Sequence, residues 1–209
     1  MDAVIKSISV KDKIAPRPGR EQAEEAVRTL IAYLGDDPAR AGLVDTPKRV
    51  IDAYGELFSG YADDPEAVLS RTFEELNGYD DVVMLRGIDI NSHCEHHMMP
   101  FIGTAHVAYL PGENIVGISK LVRVIDIYAR RLQSQENLTA GIAATIDKVL
   151  KPKGVAVMIE AVHHCMTMRG VAKRQVATLT TQFTGAFKHD PALQARFVAQ
   201  ARDPAGPVG

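Results

Sequence analysis

The stretch Ser92-His93-Cys94-Glu95-His96-His97 concentrates one cysteine and three histidines in positions 93–97. Cys94 and His97 are three residues apart, so one tight turn can direct both side chains at a single metal ion. The only other cysteine lies far downstream in Val162-His163-His164-Cys165, and it is a natural third ligand. A Cys/His/Cys set with a fourth position open to water is typical of a catalytic zinc site, since structural zinc sites usually have four protein ligands. The fold must therefore bring these two segments together.

Two histidines beside the candidate ligands remain available for proton transfer. If the two cysteines and His97 hold the metal, His96 and His163 are free to donate and accept protons near neutral pH. An isolated cysteine–histidine pair more often binds no metal. Here two clusters use both cysteines of the chain, and this favours a metal site. The ligand types suit zinc, with iron(II) or manganese as alternatives. Three other histidines receive no functional role: His93, His106 and His189.

The sequence around these clusters predicts a mixture of strands and helices. Strand patterns, in which apolar residues cluster or alternate with polar ones, cover 82–88, 103–110, 154–162 and 176–183. Between the two strand pairs, Ser119 is predicted to be the N-cap of one helix, and a second helix covers about Leu138 to Leu150. This order predicts an α+β layer with an antiparallel sheet under helices. Such a sheet has exposed edges that an oligomer can pair.

Composition divides the chain into four segments. Residues 1–20 are predicted to form a flexible arm, 21–76 an N-terminal helical region, 77–200 a catalytic domain and 201–209 a disordered Pro/Gly-rich tail. The helical region is expected to hold three helices. They cover Glu21 to about Leu34, a segment for which Thr46 is the cap candidate and Pro47 the first helical residue, and Pro65 to about Thr72.

Length and charge exclude several classes of protein. The chain has 209 residues, of which 46% are hydrophobic, so it can bury a core. No apolar run approaches the roughly 20 residues that span a bilayer, and the start lacks a signal-peptide pattern, so we expect a cytoplasmic protein. The net charge of -2 argues against nucleic-acid binding and requires that any anion site be local.

One segment has the composition of a phosphate site. Gly117-Ile118-Ser119-Lys120-Leu121-Val122-Arg123 lies at a predicted helix start. Backbone N–H groups there, together with Ser119, Lys120 and Arg123, suit a phosphate group. Taken alone, the segment is better explained as a capped helix with solvated basic residues.

Two further residues could contact a purine nucleotide. Glu136, between the two central helices, could accept the N1–H and 2-amino edge of guanine. Arg169 follows Cys165 closely and could place a positive charge near the metal. Each is equally compatible with an ordinary solvated side chain.

Four motifs follow one another along the chain: Cys94-Glu95-His96-His97, Gly117-Ile118-Ser119-Lys120-Leu121, Gln133-Ser134-Gln135-Glu136, and His163-His164-Cys165 with Met168-Arg169-Gly170. Together, in this order, they resemble the type I GTP cyclohydrolase family. The resemblance covers about Glu21 to Phe187. The first motif alone is moderately specific, whereas all four in sequence are highly specific. One departure is Ser134, where the family often has an aliphatic residue.

The resemblance implies a fold and an assembly. The fold is a T-fold, a four-stranded antiparallel sheet with two helices packed on one face, here preceded by an N-terminal helical region. Five subunits would close their sheets into a barrel, and two such rings would stack into a homodecamer. The sites would then lie at subunit interfaces, which also resolves the exposed sheet edges.

The resemblance also implies a reaction. GTP would undergo zinc-dependent hydrolysis and ring rearrangement to 7,8-dihydroneopterin triphosphate with release of formate, the first step of tetrahydrofolate and pterin biosynthesis. A zinc-bound water would attack C8 of the guanine, His96 would protonate the purine ring nitrogen, and His163 would assist at the ribose. The other implied roles are zinc ligands Cys94, His97 and Cys165, guanine contacts from Glu136 and the backbone near Gln135, and ribose and triphosphate contacts from Ser119, Lys120, Arg123 and Arg169.

Two other functions are compatible with parts of the sequence. A nitrile reductase of the same fold would have a single nucleophilic cysteine and would lack a group of three metal ligands. A zinc-stabilised binding module would close its metal site with four protein ligands, and the spare His96 and His163 argue against it. Release of one formate per GTP would separate the enzyme from the module.

Overall fold

The computed structural model describes residues 17–70, 72–73, 79–112 and 115–203. Residues 1–16 of the predicted arm and 204–209 of the predicted tail lie outside the described residues, as does the predicted domain boundary at 76–77. The backbone divides into two units, one ending at Glu56 and one beginning at Leu57.

The first unit contains helix α1 (Arg20–Tyr33) and nearly all of helix α2 (Thr46–Leu57). Both helices agree with the sequence patterns to within one residue at their starts. The prediction of Thr46 as the cap is wrong, because Thr46 is already the first residue of α2 and Pro47 is the second. The Arg20 guanidinium donates to the Asp52 carboxylate at 2.7 Å and joins the two helices at their surface. Exposed ion pairs of this kind add little stability.

The second unit is organised around an antiparallel sheet. The strands are β1 (Thr72–Phe73), β2 (Val83–Cys94), β3 (Pro100–Leu110), β4 (Ile115–Val116), β5 (Leu132–Gln133), β6 (Gly154–His163) and β7 (Ala177–Phe183). The four long strands confirm the predicted four-stranded sheet, and they lie in the spatial order β2-β3-β6-β7. The two-residue strand β5 runs parallel to the end of β2, and β1 and β4 form a separate antiparallel pair.

Helices α4 (Ile118–Ala129) and α5 (Gln135–Leu150) cover one face of the sheet, as predicted. A short helix α3 (Pro65–Leu69) packs against them, and Leu69 is fully buried. The main core lies between these helices and the sheet. Its fully buried members include Val107, Leu121, Ile125, Ile142, Ile146 and Val157.

The opposite face of the sheet has two helices that the sequence patterns did not predict, α7 (Gly185–His189) and α8 (Pro191–Arg202). Phe187 and Phe197 form a second buried cluster there with Ala156 and Met158. Successive residues of a strand point to opposite faces, so β6 contributes to both cores. Helix α8 reaches two residues into the segment predicted as a tail. Like every other helix in the described part of the chain, it is not long and apolar enough to cross a membrane.

The start of α4 differs from its prediction. The prediction of Ser119 as the N-cap is wrong, because Gly117 is the N-cap and Ser119 lies inside the first turn. The Lys120 N–H donates to the Gly117 carbonyl at 2.9 Å, which closes that turn. The reason is that strand β4 ends at Val116, so the chain must turn into the helix immediately after it.

Candidate metal centre

A tight turn after β2 presents the first two candidate ligands. The Cys94 N–H donates to the Met99 carbonyl at 2.8 Å, and the Cys94 carbonyl accepts from the Met98 N–H at 2.8 Å and the His97 N–H at 3.3 Å. Met98 has a φ of 53°, the left-handed conformation that reverses the chain. The turn leaves the Cys94 Sγ 3.9 Å from the His97 Nδ1.

The register of the sheet brings the third ligand to this turn. Ser92 on β2 lies opposite Phe101 on β3, and Phe101 lies opposite His163 on β6. Because neighbouring strands are about 4.8 Å apart, the ends of β2 and β6 meet at one end of the sheet. β6 finishes at His163, and the helical turn α6 (His164–Thr167) follows at once and contains Cys165.

The ligand atoms of Cys94, His97 and Cys165 all lie within 4.8 Å of one another. Elsewhere in the described residues, no histidine, cysteine or carboxylate joins this group. Two thiols and one imidazole are a donor set that suits zinc. Three protein ligands also leave a coordination position for water or substrate, as in catalytic zinc sites.

The electrostatics of the two thiols fit a cation at this point. Cys94 is 6% exposed and Cys165 is half-buried, and both are free of disulfides. Burial raises the pKa of the Cys165 thiol and the adjacent Cys94 raises it further, whereas Arg169 acts in the opposite direction. The Cys165 thiol therefore resists ionisation by itself, and a bound divalent cation reverses this because it stabilises the thiolate.

The two histidines assigned to proton transfer adjoin this group in different surroundings. His96 is exposed in the turn, with its Nδ1 3.6 Å from the Cys94 Sγ. His163 is half-buried and stacks on Phe101, with ring centroids 4.6 Å apart and planes at 9°. Its Nε2 lies 2.8 Å from the Gln135 Oε1. Burial lowers the pKa of His163, and the Glu136 carboxylate acts to raise it.

The start of α5 places the guanine candidates beside the metal turn. The Glu95 N–H donates to the Gln133 carbonyl at 3.0 Å, which holds this segment against the turn. Ser134 caps α5, and its side chain accepts a backbone N–H at 3.2 Å. Gln135 and Glu136 thus lie in the first turn of the helix, with Gln135 buried and Glu136 exposed.

The phosphate candidates lie on other elements. Ser119 and Lys120 are in the first turn of α4, and Arg169 is exposed after α6. Arg123 lines a cavity of about 300 Å³ together with Asp126, and none of the three candidate metal ligands lines that cavity. A single chain therefore gathers the ligands, both histidines and the start of α5, but it places Arg123 at a different cavity.

Three supporting features were not predicted. Phe101 stacks on His163, the His164 Nδ1 lies 3.1 Å from the Pro100 carbonyl oxygen, and Ser134 caps α5. The last could have been found, because a serine immediately before a helical pattern is an N-cap signal. The first two depend on the register between β3 and β6, and periodicity within either strand does not specify that register.

The protein has the T-fold, with an antiparallel sheet that carries helices on its face. Its Cys/His/Cys group leaves one coordination position open and adjoins two histidines, which is the arrangement of a metal-dependent enzyme. The family model described as GTP cyclohydrolase I matches residues 23–202. The chain belongs to the GTP cyclohydrolase I family. The resemblance in the sequence motifs is thereby confirmed, and so is the class of enzyme, a zinc-dependent hydrolase.

Similar proteins cover nearly the whole chain. It is 57% identical over 202 residues to GTP cyclohydrolase 1 of Sinorhizobium fredii. The aligned region covers 97% of this chain and 98% of that protein. It is 58% identical over 200 residues to GTP cyclohydrolase 1 of Hyphomonas neptunium, with coverages of 95% and 97%. A crystal structure of the archaeosine synthase QueF-Like in the apo form is 17% identical with a TM-score of 0.43, and covers 52% of this chain and 97% of its own.

Proposed function

We propose that this chain catalyses the hydrolysis and ring rearrangement of GTP to 7,8-dihydroneopterin triphosphate with release of formate, the first step of pterin and tetrahydrofolate biosynthesis. The observation that carries this proposal is the convergence of two thiols and an imidazole within 4.8 Å, beside two further histidines. The family match over residues 23–202 supports the same reaction.

Cys94, His97 and Cys165 would hold the zinc ion. When bound, zinc supplies a Lewis acid and a water molecule that ionises near neutral pH. The exposed position of His97 at the edge of the group leaves access for a substrate from solvent.

His96 and His163 would move the protons that ring opening requires. His96 is exposed in the turn and is assigned to the purine ring nitrogen that must be protonated as the five-membered ring opens. His163 is assigned to the ribose and ring-opening steps. The lowered pKa of His163 favours its neutral, proton-accepting form at pH 7.

The start of α5 would bind guanine and several basic residues would bind the phosphates. Glu136 is exposed beside His163, and the first backbone N–H groups of a helix have no partner within it. The triphosphate is strongly anionic whereas the chain has a net charge of -2, so a local cluster of donors is needed. The residues proposed for ribose and triphosphate are Ser119, Lys120, Arg123 and Arg169.

A homodecamer of two stacked pentamers, with sites at subunit interfaces, completes the proposal. In the described residues, β5 pairs only with His93 and Cys94 on the outer edge of β2, and β7 is the other edge of the sheet. Leu179 on β7 is 41% exposed. Because open edges tend to pair with other strands, β7 of one chain can join β2 of the next. Arg123 would then serve the site of a neighbouring chain.

Native mass spectrometry tests the assembly. Chains of 22.7 kDa are expected to associate in tens. A fully active monomer would contradict both the decamer and the shared site. We also propose a cytoplasmic location, because both free cysteines of the metal group need a reducing compartment to stay reduced.

Formate release tests the reaction. Metal-loaded protein is incubated with GTP, formate is quantified, and the pterin is detected by fluorescence after oxidation and dephosphorylation. We expect one formate per GTP consumed. Cys94→Ser and Cys165→Ser should lose both zinc and product. Protein that binds zinc tightly yet releases no formate would refute the proposal and support a binding module.

A pair of histidine variants tests the assignment of protons. His96→Ala should retain zinc and lose turnover, because its side chain lies outside the ligand group. His189→Ala is the matched control, since it removes another exposed histidine from α7. It should keep both zinc and turnover. Full activity of His96→Ala would show that the assignment is wrong.

A further inference from the structure

The side chain of Gln135 links helix α5 to the sheet beside His163. It is 1% exposed. Its Nε2 donates to the Ile159 carbonyl at 3.0 Å, the Thr178 carbonyl at 2.9 Å and the Thr180 Oγ1 at 3.1 Å. Its Oε1 lies 2.8 Å from the His163 Nε2. Both polar atoms of the amide are therefore engaged inside the protein.

The surroundings of this amide determine its orientation. Backbone carbonyls can only accept hydrogen bonds, so the atom that faces Ile159 and Thr178 must be the NH₂ group. The oxygen of Gln135 must then face His163. A reversed amide would set its oxygen 3.0 and 2.9 Å from two carbonyl oxygens, with no hydrogen between the atoms, which is unfavourable.

The orientation of the amide in turn determines the tautomer of His163. The Gln135 oxygen can only accept, so the His163 Nε2 must carry a hydrogen and donate it. A neutral imidazole has one protonated nitrogen and one with a free lone pair. The free lone pair of neutral His163 is therefore on Nδ1.

We infer that Gln135 is a positioning residue that holds His163 in the Nε2–H tautomer, so that Nδ1 is the nitrogen that exchanges protons with the substrate. This inference rests on the proposed role of His163 in the reaction. Stacking on Phe101 fixes the plane of the imidazole, and the hydrogen bond from Nε2 fixes its rotation within that plane.

The proton step at His163 is simple in this arrangement. The Nδ1 lone pair takes a proton from a substrate group, the ring becomes an imidazolium, and the electron pair of the broken bond stays on the substrate. The Nε2–H stays on His163 and continues to donate to the Gln135 Oε1, because a neutral amide oxygen does not take up a proton near pH 7. The bond to Gln135 becomes charge-assisted and therefore stronger in the imidazolium, which stabilises the product of the transfer.

The inference also narrows the role of Gln135 in substrate binding. Its amide is committed to Ile159, Thr178, Thr180 and His163, so the side chain cannot also recognise guanine. Only the backbone of Gln135 remains for that purpose. Glu136, which is exposed, is therefore the residue at the start of α5 whose side chain can bind guanine.

The first test reads the tautomer directly on the unmodified protein. Solid-state ¹⁵N spectra of histidine-labelled protein distinguish protonated from unprotonated ring nitrogens, and the signals lost in His163→Ala identify those of His163. We expect Nε2 protonated and Nδ1 unprotonated in the neutral ring. A neutral His163 protonated on Nδ1 overturns the inference, whatever the activity of any variant.

The second test uses Gln135→Met, which keeps the length of the side chain and removes its hydrogen bonds. Outer hydrogen-bond partners of metal-ligating histidines are worth roughly 10–100-fold in affinity or activity. We expect a loss of kcat for formate release in the same range, because Gln135 orients His163 in the same way. KM and zinc content should stay close to those of the parent. Thr180→Val is the matched control, because it removes one acceptor of the same amide and leaves the bond to His163. It should retain nearly all of kcat.

A double variant separates positioning from general damage to the site. If Gln135 acts through His163, Gln135→Met should have little further effect on kcat in a His163→Ala background. An equal loss in both backgrounds overturns the inference and leaves the proposed function intact. Unchanged kcat in His163→Ala alone instead refutes the proposed role of His163, while the spectra still decide the tautomer.

Discussion

Replacing Phe101 by leucine should loosen the imidazole of His163 at a stability cost that can be calculated. Phe101 is fully buried and its ring lies 4.6 Å from that of His163. A near volume-conserving core substitution costs under about 1.5 kcal/mol. Loss of the aromatic pair adds roughly 0.5–1.5 kcal/mol. We therefore expect unfolding by urea to report a loss of about 0.5–3 kcal/mol, and kcat for formate release to fall because the ring plane is no longer fixed.

Phe187→Leu is the matched control for this experiment. Phe187 is also fully buried and also pairs with another aromatic ring, that of Phe197 at 6.1 Å, but it lies on the opposite face of the sheet. The two variants should lose similar stability, and only Phe101→Leu should lose kcat once rates are corrected for folded protein. Equal losses of kcat in both would show that stacking on His163 has no specific role.

Three further variants test the sheet, the helix cap and a buried histidine. A Cβ on Gly103 would overlap the Glu160 carbonyl oxygen on the paired strand, so Gly103→Ala should lower the urea midpoint, with a cost of about 1–3 kcal/mol. Ser134→Ala removes the cap of α5 and should cost about 1 kcal/mol by the same assay; no change would show the cap to be dispensable. Burial, helped by Arg86, lowers the pKa of His106 below 6.5, so the unfolded chain binds more protons just below that pH. Stability should fall as pH drops through 6.5 in the parent and fall less in His106→Gln; identical pH profiles would contradict this.

The sequence predicts the metal group well because its information is partly local. Cys94 and His97 need only one turn, and the structure confirms that turn. Cys165 could be added because the chain has only two cysteines and both adjoin histidines. The spacing therefore predicted, without any knowledge of strand order, the three side chains that the structure brings together.

Other features could not be predicted because they depend on contacts between elements. Helices α7 and α8 have weak periodicity of their own, and they form where Phe187 and Phe197 can be buried against the second face of the sheet. A glutamine at the start of a helix is expected from the sequence to be polar and solvent-exposed. Gln135 is buried because carbonyls of β6 and β7 lie within reach of it, and no local pattern indicates that contact.

The same dependence on register makes the metal group a property of the folded sheet. Cys94 and His97 could meet in a short peptide, but Cys165 reaches them only when β6 pairs with β3 so that His163 lies opposite Phe101. A slip of one residue would shift the end of β6 by about 3.3 Å and turn His163 to the other face of the sheet. The third ligand and the bond from His163 to Gln135 would be lost together. A metal that binds all three ligands therefore stabilises only the correctly registered sheet, so its binding free energy adds to that of folding.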